Sequence, residues 1–248
     1  MSIVLDGVSF GYNQEKLILD NLSLTINKGR FIGLAGSNGS GKSTFTYILN
    51  GIIPHHFRGY FQGQVLVDGI STKKQKIGQL AGKVGLMFQN PEYSIFNLTV
   101  EEEVAFGVKN LGLDKPTQRI NDALEAVGLK DKKKEDPHQL SMGQKQKLAL
   151  ACILALDSEY IILDEPSAML DYRSSIEIYK HLQKLNKEGK TIITIEHDTD
   201  YFWQFCQDIL LLDQGKILNY GPKEDIFKET FTLKNLGIKI PNTNDASN

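Results

Sequence analysis

Three stretches of this sequence bring together side chains suited to phosphate binding, metal coordination and proton transfer. The first is GSNGSGKST, Gly36–Thr44, lying between the apolar run FIGLA and FTYILNG. It matches G-x-x-x-x-G-K-[ST] in the strand, loop and helix order that gives that pattern meaning. Its glycines let the backbone bend and turn amides toward a helix start, a natural seat for phosphate oxygens. Ser37, Asn38, Gly39, Ser40, Gly41 and Thr44 are the candidate cradle. Lys42 would neutralise terminal phosphate charge, and the Ser43 hydroxyl would ligate magnesium. A glycine-rich turn of purely structural use is the alternative, and the strand-to-helix setting speaks against it.

The second stretch, IILDEPSAMLD, ends an apolar run in two adjacent carboxylates. Successive strand side chains point to opposite faces, so Asp164 and Glu165 can do different jobs. Asp164 suits the magnesium shell, and Glu165 suits polarising an attacking water. A solvated strand end accounts for one carboxylate but poorly for a pair in a chain with a phosphate loop. The third, TIITIEHDTD, ends another apolar run at His197. A lone histidine is more often structural, but ligands of open parallel sheets bind at the carboxyl ends of strands.

A fourth stretch, QLSMGQKQKLALACILAL from Gln139, begins with a local explanation: Ser141 and Gln144 fit a capping box. Leu148, Leu150, Ala151, Leu154 and Ala155 form the apolar stripe of a core-facing helix, with Lys145 and Lys147 off it. The same exposed helix start is a possible anion site, and local sequence leaves both readings open.

The elements that must position these groups are legible as changes of period. Ile3 to Phe10, Leu17 to Ile26 and QVLVDG from Gln64 alternate as half-buried antiparallel strands do. RFIGLAG, EYIILDEP and KTIITIEH are short continuous apolar runs next to helical segments, the pattern of central strands in a parallel sheet. From Thr99 to Leu156 three helical segments follow one another. DILLLDQGKILNYG reads as two strands about an Asp-Gln-Gly turn, and KEDIFKETF as a short helix. The predicted fold is α/β: a mainly parallel P-loop core (about 30–60 and 157–220), an antiparallel β subdomain (about 1–30 and 60–70) and an inserted helical subdomain (about 95–156). Together they make one domain over 1–240, with a disordered polar tail at 241–248.

Composition bounds the function classes. The chain has 248 residues, 41% hydrophobic and 23% charged, with a formal net charge of -2, so no global basic surface draws it to nucleic acid or acidic lipid. Cys152 and Cys206 lie in apolar helix-like runs without metal-ligand spacing, which fits reduced core thiols. The start lacks a basic n-region and long h-region, and no later apolar run is long enough to cross a bilayer, so membrane association is expected through a partner.

In their order along the chain, these motifs resemble those of the nucleotide-binding subunit of an ABC transporter, from about Ile3 to Gly221. GSNGSGKS resembles the Walker A motif, Gln89 in MFQNPE the Q-loop, IILDE the Walker B motif, and SAMLD, ending at Asp171, the D-loop. His197 resembles the switch histidine, and QLSMGQ the signature usually written LSGGQ. Tyr12 in SFGYNQ matches the aromatic that stacks on adenine. The resemblance implies ATP and Mg2+ as ligands, with Gln89 joining Ser43 and Asp164 at the metal. It implies a head-to-tail dimer, homo- or hetero-, in which Ser141, Gly143 and Gln144 of one subunit and its Asp171 meet the other's ATP. Glu165 is then the general base, and His197 holds the γ-phosphate and attacking water. Met142 departs from the family's glycine: it crowds the phosphate if its position needs positive φ, and is harmless if its side chain points away.

FQNPEYSIFNLTVEEEVAFGVKNLGL narrows the resemblance to ATPase subunits of energy-coupling factor transporters, importers of vitamins, cobalt or nickel in prokaryotes. That implies a second ABC ATPase, a transmembrane coupling protein and a substrate-binding membrane protein as partners, no nucleic acid, and a place on the cytoplasmic face of the membrane. Glu101, Glu102 and Glu103 also have a simpler use in a helix's first turn. The alternatives are the ATPase of another ABC transporter class, or an ABC ATPase acting on nucleic acid. The latter usually carries a long coiled-coil insertion or a second cassette, which this sequence does not display.

Overall fold

In the computed structural model, which describes residues 1–242, the apolar runs become strands and the 3.6-residue periods become helices. Among the described residues the strands are β1 (Ser2–Gly11), β2 (Leu19–Asn27), β3 (Phe31–Ala35), β4 (Tyr60–Val67), β5 (Ile70–Ser71), β6 (Val84–Met87), β7 (Tyr160–Asp164), β8 (Thr191–Ile195), β9 (Asp208–Asp213) and β10 (Lys216–Pro222). They form an antiparallel sheet in the order β2-β1-β4-β5 and a larger sheet in the order β10-β9-β3-β8-β7-β6. In the larger sheet only the β9–β10 pairing is antiparallel. Strands β3, β7 and β8 are buried at every position, which is why they read as unbroken apolar runs.

VGLM, a strand too short to stand out by period, is β6 and edges the sheet beside β7. Because β3, β8, β7 and β6 are adjacent and parallel, their carboxyl ends open on one side of the molecule.

Helix α1 (Lys42–Asn50) leaves the loop after β3, and α2 (Ile52–His55) and α3 (Ile77–Lys83) precede and follow β4 and β5 in the chain. Phe45, Ile48 and Leu49 of α1 are fully buried in a core shared with Leu5 and Phe10 of the small sheet and Ile162 and Ile193 of the large one. Each such side chain contributes about 1.5–3 kcal/mol, so the start of α1 is held against both sheets.

A second core lies under the inserted helices α4 (Val100–Asn110), α5 (Pro116–Ala126) and α6 (Met142–Leu156), and also receives α7 (Tyr172–Lys187) and α8 (Thr199–Phe205). Helix α6 is buried more widely than its apolar stripe implies. Leu154 is only half-buried, whereas Lys145 is buried with its Nζ 2.6 Å from Glu92 Oε1. The lysine read as lying off the stripe is therefore an internal tie between α6 and the loop after β6.

The short helices α9 (Lys223–Ile226) and α10 (Thr230–Asn235) are the last regular elements among the described residues. Of the predicted disordered tail, residues 243–248 lie outside the described residues. Pro241 is buried, and the Asn242 amide donates to Asp200 Oδ1 at 2.8 Å.

Candidate active site

Residues 36–44 turn sharply at the carboxyl end of β3. Gly39 and Gly41 hold φ of +76 and +104, which L side chains rarely adopt. At Gly41 a Cβ would also lie 2.8 Å from Leu19 Cδ2 and 3.1 Å from Ile18 O. Helix α1 has no side-chain cap at Gly41, so its first amides remain open to an anion. Lys42 Nζ donates to Gly36 O at 2.9 Å and Ser37 O at 3.0 Å, lying over the loop. Burial lowers the Lys42 pKa, opposed by the nearby carboxylates of Asp164 and Glu165.

One cleft of about 540 Å³ gathers Tyr12, Asn38, Gly39, Gly41, Lys42, Ser43, Thr44, Gln89, Asp164, Glu165 and His197. Eleven residues predicted from separate segments thus line a single space. Ser37 and Ser40 face elsewhere: the Ser37 hydroxyl donates to Asp213, and Ser40 is buried with no partner for its hydroxyl among the described residues.

Ser43 Oγ donates to Asp164 Oδ2 at 3.1 Å, placing two hard oxygen donors side by side as magnesium prefers. Burial raises the Asp164 pKa, against the lowering effect of the Ser43 hydrogen bond. Glu165 turns the other way: its Oε1 is 3.0 Å from His197 Nε2, with the glutamate side chain 14% exposed and the histidine 61%. Its φ of +53 is a left-handed conformation costing a non-glycine residue on the order of 1–2 kcal/mol. Strand β7 ends at Asp164, so the left-handed backbone at Glu165, and not the strand alternation expected from the sequence, is what separates the two carboxylates and aims the second.

Tyr12 is half-exposed at the rim, its hydroxyl 3.4 Å from Thr44 Oγ1 and its ring edge-on to Phe10 and Phe57. An open aromatic face beside a phosphate cradle suits stacking against a nucleobase.

Ser141, Gly143, Gln144 and Asp171 do not line this cleft. Ser141 and Gln144 form the expected capping box, with Gln144 N donating to Ser141 Oγ at 3.3 Å and Ser141 N to Gln144 Oε1 at 3.0 Å. Asp171 caps α7 through Ser174. Met142 is the half-buried first residue of α6 and has no left-handed φ. The position needs no glycine backbone.

Geometry and motif order agree with a family match: a model described as ABC transporter covers residues 19–168. The chain belongs to the ABC transporter ATP-binding family. The energy-coupling factor transporter ATP-binding protein EcfA of Methanocaldococcus jannaschii is 39% identical over 236 residues, covering 94% of this chain and 83% of the relative. The solved structure of cbiO1 from Clostridium perfringens, part of the cbiONQ ABC transporter complex, aligns with TM-score 0.78 at 29% identity over 96% and 95% of the two chains. A dimeric ATP-binding cassette in a post-hydrolysis state with ADP and Pi aligns with TM-score 0.78 at 28% identity, over 89% and 98%. This chain is an ATP-binding, ATP-hydrolysing subunit with the ABC ATPase fold.

In this ABC ATPase several polar groups around the cleft escaped the sequence reading. Glu196 is buried, and its Oε1 accepts from Ser167 N at 3.1 Å and Tyr179 Oη at 3.0 Å, tying the turn after Glu165 to β8. Burial raises its pKa against those hydrogen bonds. Its signal was present: Thr194 and Glu196 alternate onto one face, and the Tyr179 hydroxyl meets both. Gln146 carried no such signal, since its partner is a main-chain carbonyl.

Proposed function

We propose that this subunit hydrolyses ATP at a head-to-tail dimer interface to power an energy-coupling factor importer. The observation that carries the catalytic part is the 3.0 Å Glu165–His197 contact beside the phosphate loop. The loop amides and Lys42 receive the phosphates, and Tyr12 stacks on the base. Ser43, Asp164 and Gln89 would hold Mg2+, which supplies charge neutralisation across the terminal phosphate oxygens. Glu165 takes the proton of the attacking water, and His197 orients that water and the γ-phosphate.

The signature turn and Asp171 serve the neighbouring subunit's ATP. Their position outside this chain's own cleft, with the helix start presented beside the turn after Glu165, supports that reading. Closure then depends on ATP filling both half-sites, and hydrolysis releases it.

Among the described residues no helix is long and apolar enough to cross a membrane, so transport requires a membrane partner. A groove of about 330 Å³ between β6 and the inserted helices supports a docking helix from a transmembrane coupling protein. Phe96 and Phe106 are exposed at it, Leu86 and Leu156 line it, and it begins next to Gln89. Lys145 and Glu92 tie the Gln89 loop to α6, a route by which nucleotide state reaches the groove. Relatives named as an energy-coupling factor transporter ATP-binding protein and as part of the cbiONQ ABC transporter complex support the importer class. The cargo of the proposed importer is a vitamin or transition-metal ion, with a second ABC ATPase and a substrate-binding membrane protein completing the assembly at the cytoplasmic face.

The test is reconstituted complexes carrying Glu165→Gln: ATP binding persists, while hydrolysis falls about 10²- to 10⁴-fold and ATP-driven uptake is lost. Unchanged uptake removes Glu165 from the mechanism. Recovery of the tagged subunit without a transmembrane partner, or with nucleic acid in steeply salt-dependent fashion, removes the transport assignment.

A further inference from the structure

The main chain of Glu165 is held by groups from three directions. Its amide donates to Ile195 O at 3.0 Å, and its carbonyl accepts from Ala168 N at 3.2 Å and from Gln146 Nε2 at 3.0 Å. Ile195 ends β8, and Ala168 belongs to the turn that Glu165 itself begins. Gln146 comes from α6, in the inserted helical unit, 19 positions away.

Gln146 is 0% exposed, and among the described residues its Oε1 has no hydrogen-bond partner. Burying an amide oxygen without a protein partner opposes folding, and an apolar side chain of similar length would avoid that cost. The bond it does make runs to the backbone of the one residue in the cleft's acidic pair that holds a left-handed φ, +53. Such a conformation persists only when its surroundings over-determine it.

We infer that Gln146 is a positioning residue for Glu165: by donating to the Glu165 carbonyl it locks the twisted backbone that keeps the carboxylate 3.0 Å from His197. The inference rests on Glu165 acting as the base. The donor sits on the same helix that Ser141 caps, so the helix offering its start to a neighbouring ATP also steadies the base of its own site.

Gln146→Met and Gln146→Leu in the full chain test this, because both fill the site while removing the donor. The Glu165 carbonyl keeps Ala168 as a partner and the orphan oxygen disappears, so thermal stability stays at or above the parent value and ATP affinity is unchanged. The kcat falls about 10- to 100-fold with KM for ATP unchanged, as expected for misplacement of a catalytic group by about 1 Å. In a Glu165→Gln background, adding Gln146→Met changes the residual rate no further, because the residue it positions is already disabled. A parent-like kcat overturns the inference while leaving the base assignment intact if Glu165→Gln is inactive. So does the same fold loss in both backgrounds, or a loss of ATP affinity and melting temperature in step with kcat. If Glu165→Gln hydrolyses ATP at the parent rate, the base assignment fails and this inference falls with it.

Discussion

Replacing two glycines of the phosphate loop separates backbone strain from steric crowding at the cleft floor. Gly39 and Gly41 both hold positive φ, +76 and +104. An added Cβ at Gly39 meets nothing within 4 Å, whereas at Gly41 it would lie 2.8 Å from Leu19 Cδ2 and 3.1 Å from Ile18 O. Alanine at either site carries positive-φ strain of about 1–2 kcal/mol. At Gly41 the clash adds on the order of 1 kcal/mol, because Leu19 is itself fully buried and has little room to yield. The loop escapes this strain by leaving the cradle, and each 1.4 kcal/mol so gained lowers the binding-competent fraction about tenfold. Apparent ATP affinity should therefore weaken about 5- to 30-fold in Gly39→Ala and about 30- to 150-fold in Gly41→Ala. Titrating a fluorescent ATP analogue against each purified variant, with melting temperatures to verify folding, measures both. Parent-like affinity in either variant would refute the view that backbone shape forms the phosphate seat, and equally weakened affinities would remove the steric contribution at Gly41.

Glu196→Gln should raise the melting temperature near neutral pH, because the amide oxygen still accepts from Ser167 and Tyr179 while the buried charge is gone. Burial raises the Glu196 pKa, so its ionisation opposes folding above the folded-state pKa. That cost vanishes as pH falls through the ordinary carboxylate range, so the gap between variant and parent should close toward about pH 4. A lower melting temperature for the variant at neutral pH would contradict this account. Met142→Gly should leave ATP binding by the monomer unchanged and alter only hydrolysis that depends on the dimer, since Met142 is outside the cleft. A large change in monomer affinity would mean that the signature turn has been assigned to the wrong site.

The stretches that line the cleft were legible because each couples a periodicity to an unusual side-chain set. FIGLA, YIILD and TIITI read as central strands since both faces are covered, and each leads within a few residues to groups that line the cleft: Asn38 and the loop after it, Asp164 with Glu165, and His197. VGLM was not legible: its four residues carry too little pattern to tell a strand from any apolar run, and pairing with β7 settles it. Lys145 was misplaced for a related reason. A helical wheel puts a lysine outside, but Glu92, on a loop far away in the chain, supplies the charge that lets it stay buried. Glu103 is similar: it serves a helix's first turn by sequence, yet it is buried and binds the amides of Phe96 and Asn97 beside the groove.

The sequence by itself determined the family, the ATP chemistry and nearly every side chain of the cleft, because those depend on local spacing and on which strand ends carry polar groups. Tertiary structure decided what spacing cannot encode. It separated the Ser141 turn from this chain's own phosphate loop, and it found an ordinary helical backbone at Met142 where glycine had been in question. It also placed Gln146 against the Glu165 carbonyl. Main-chain carbonyls have no residue identity, so a side chain's bond to one leaves no mark in the sequence until the chain is folded.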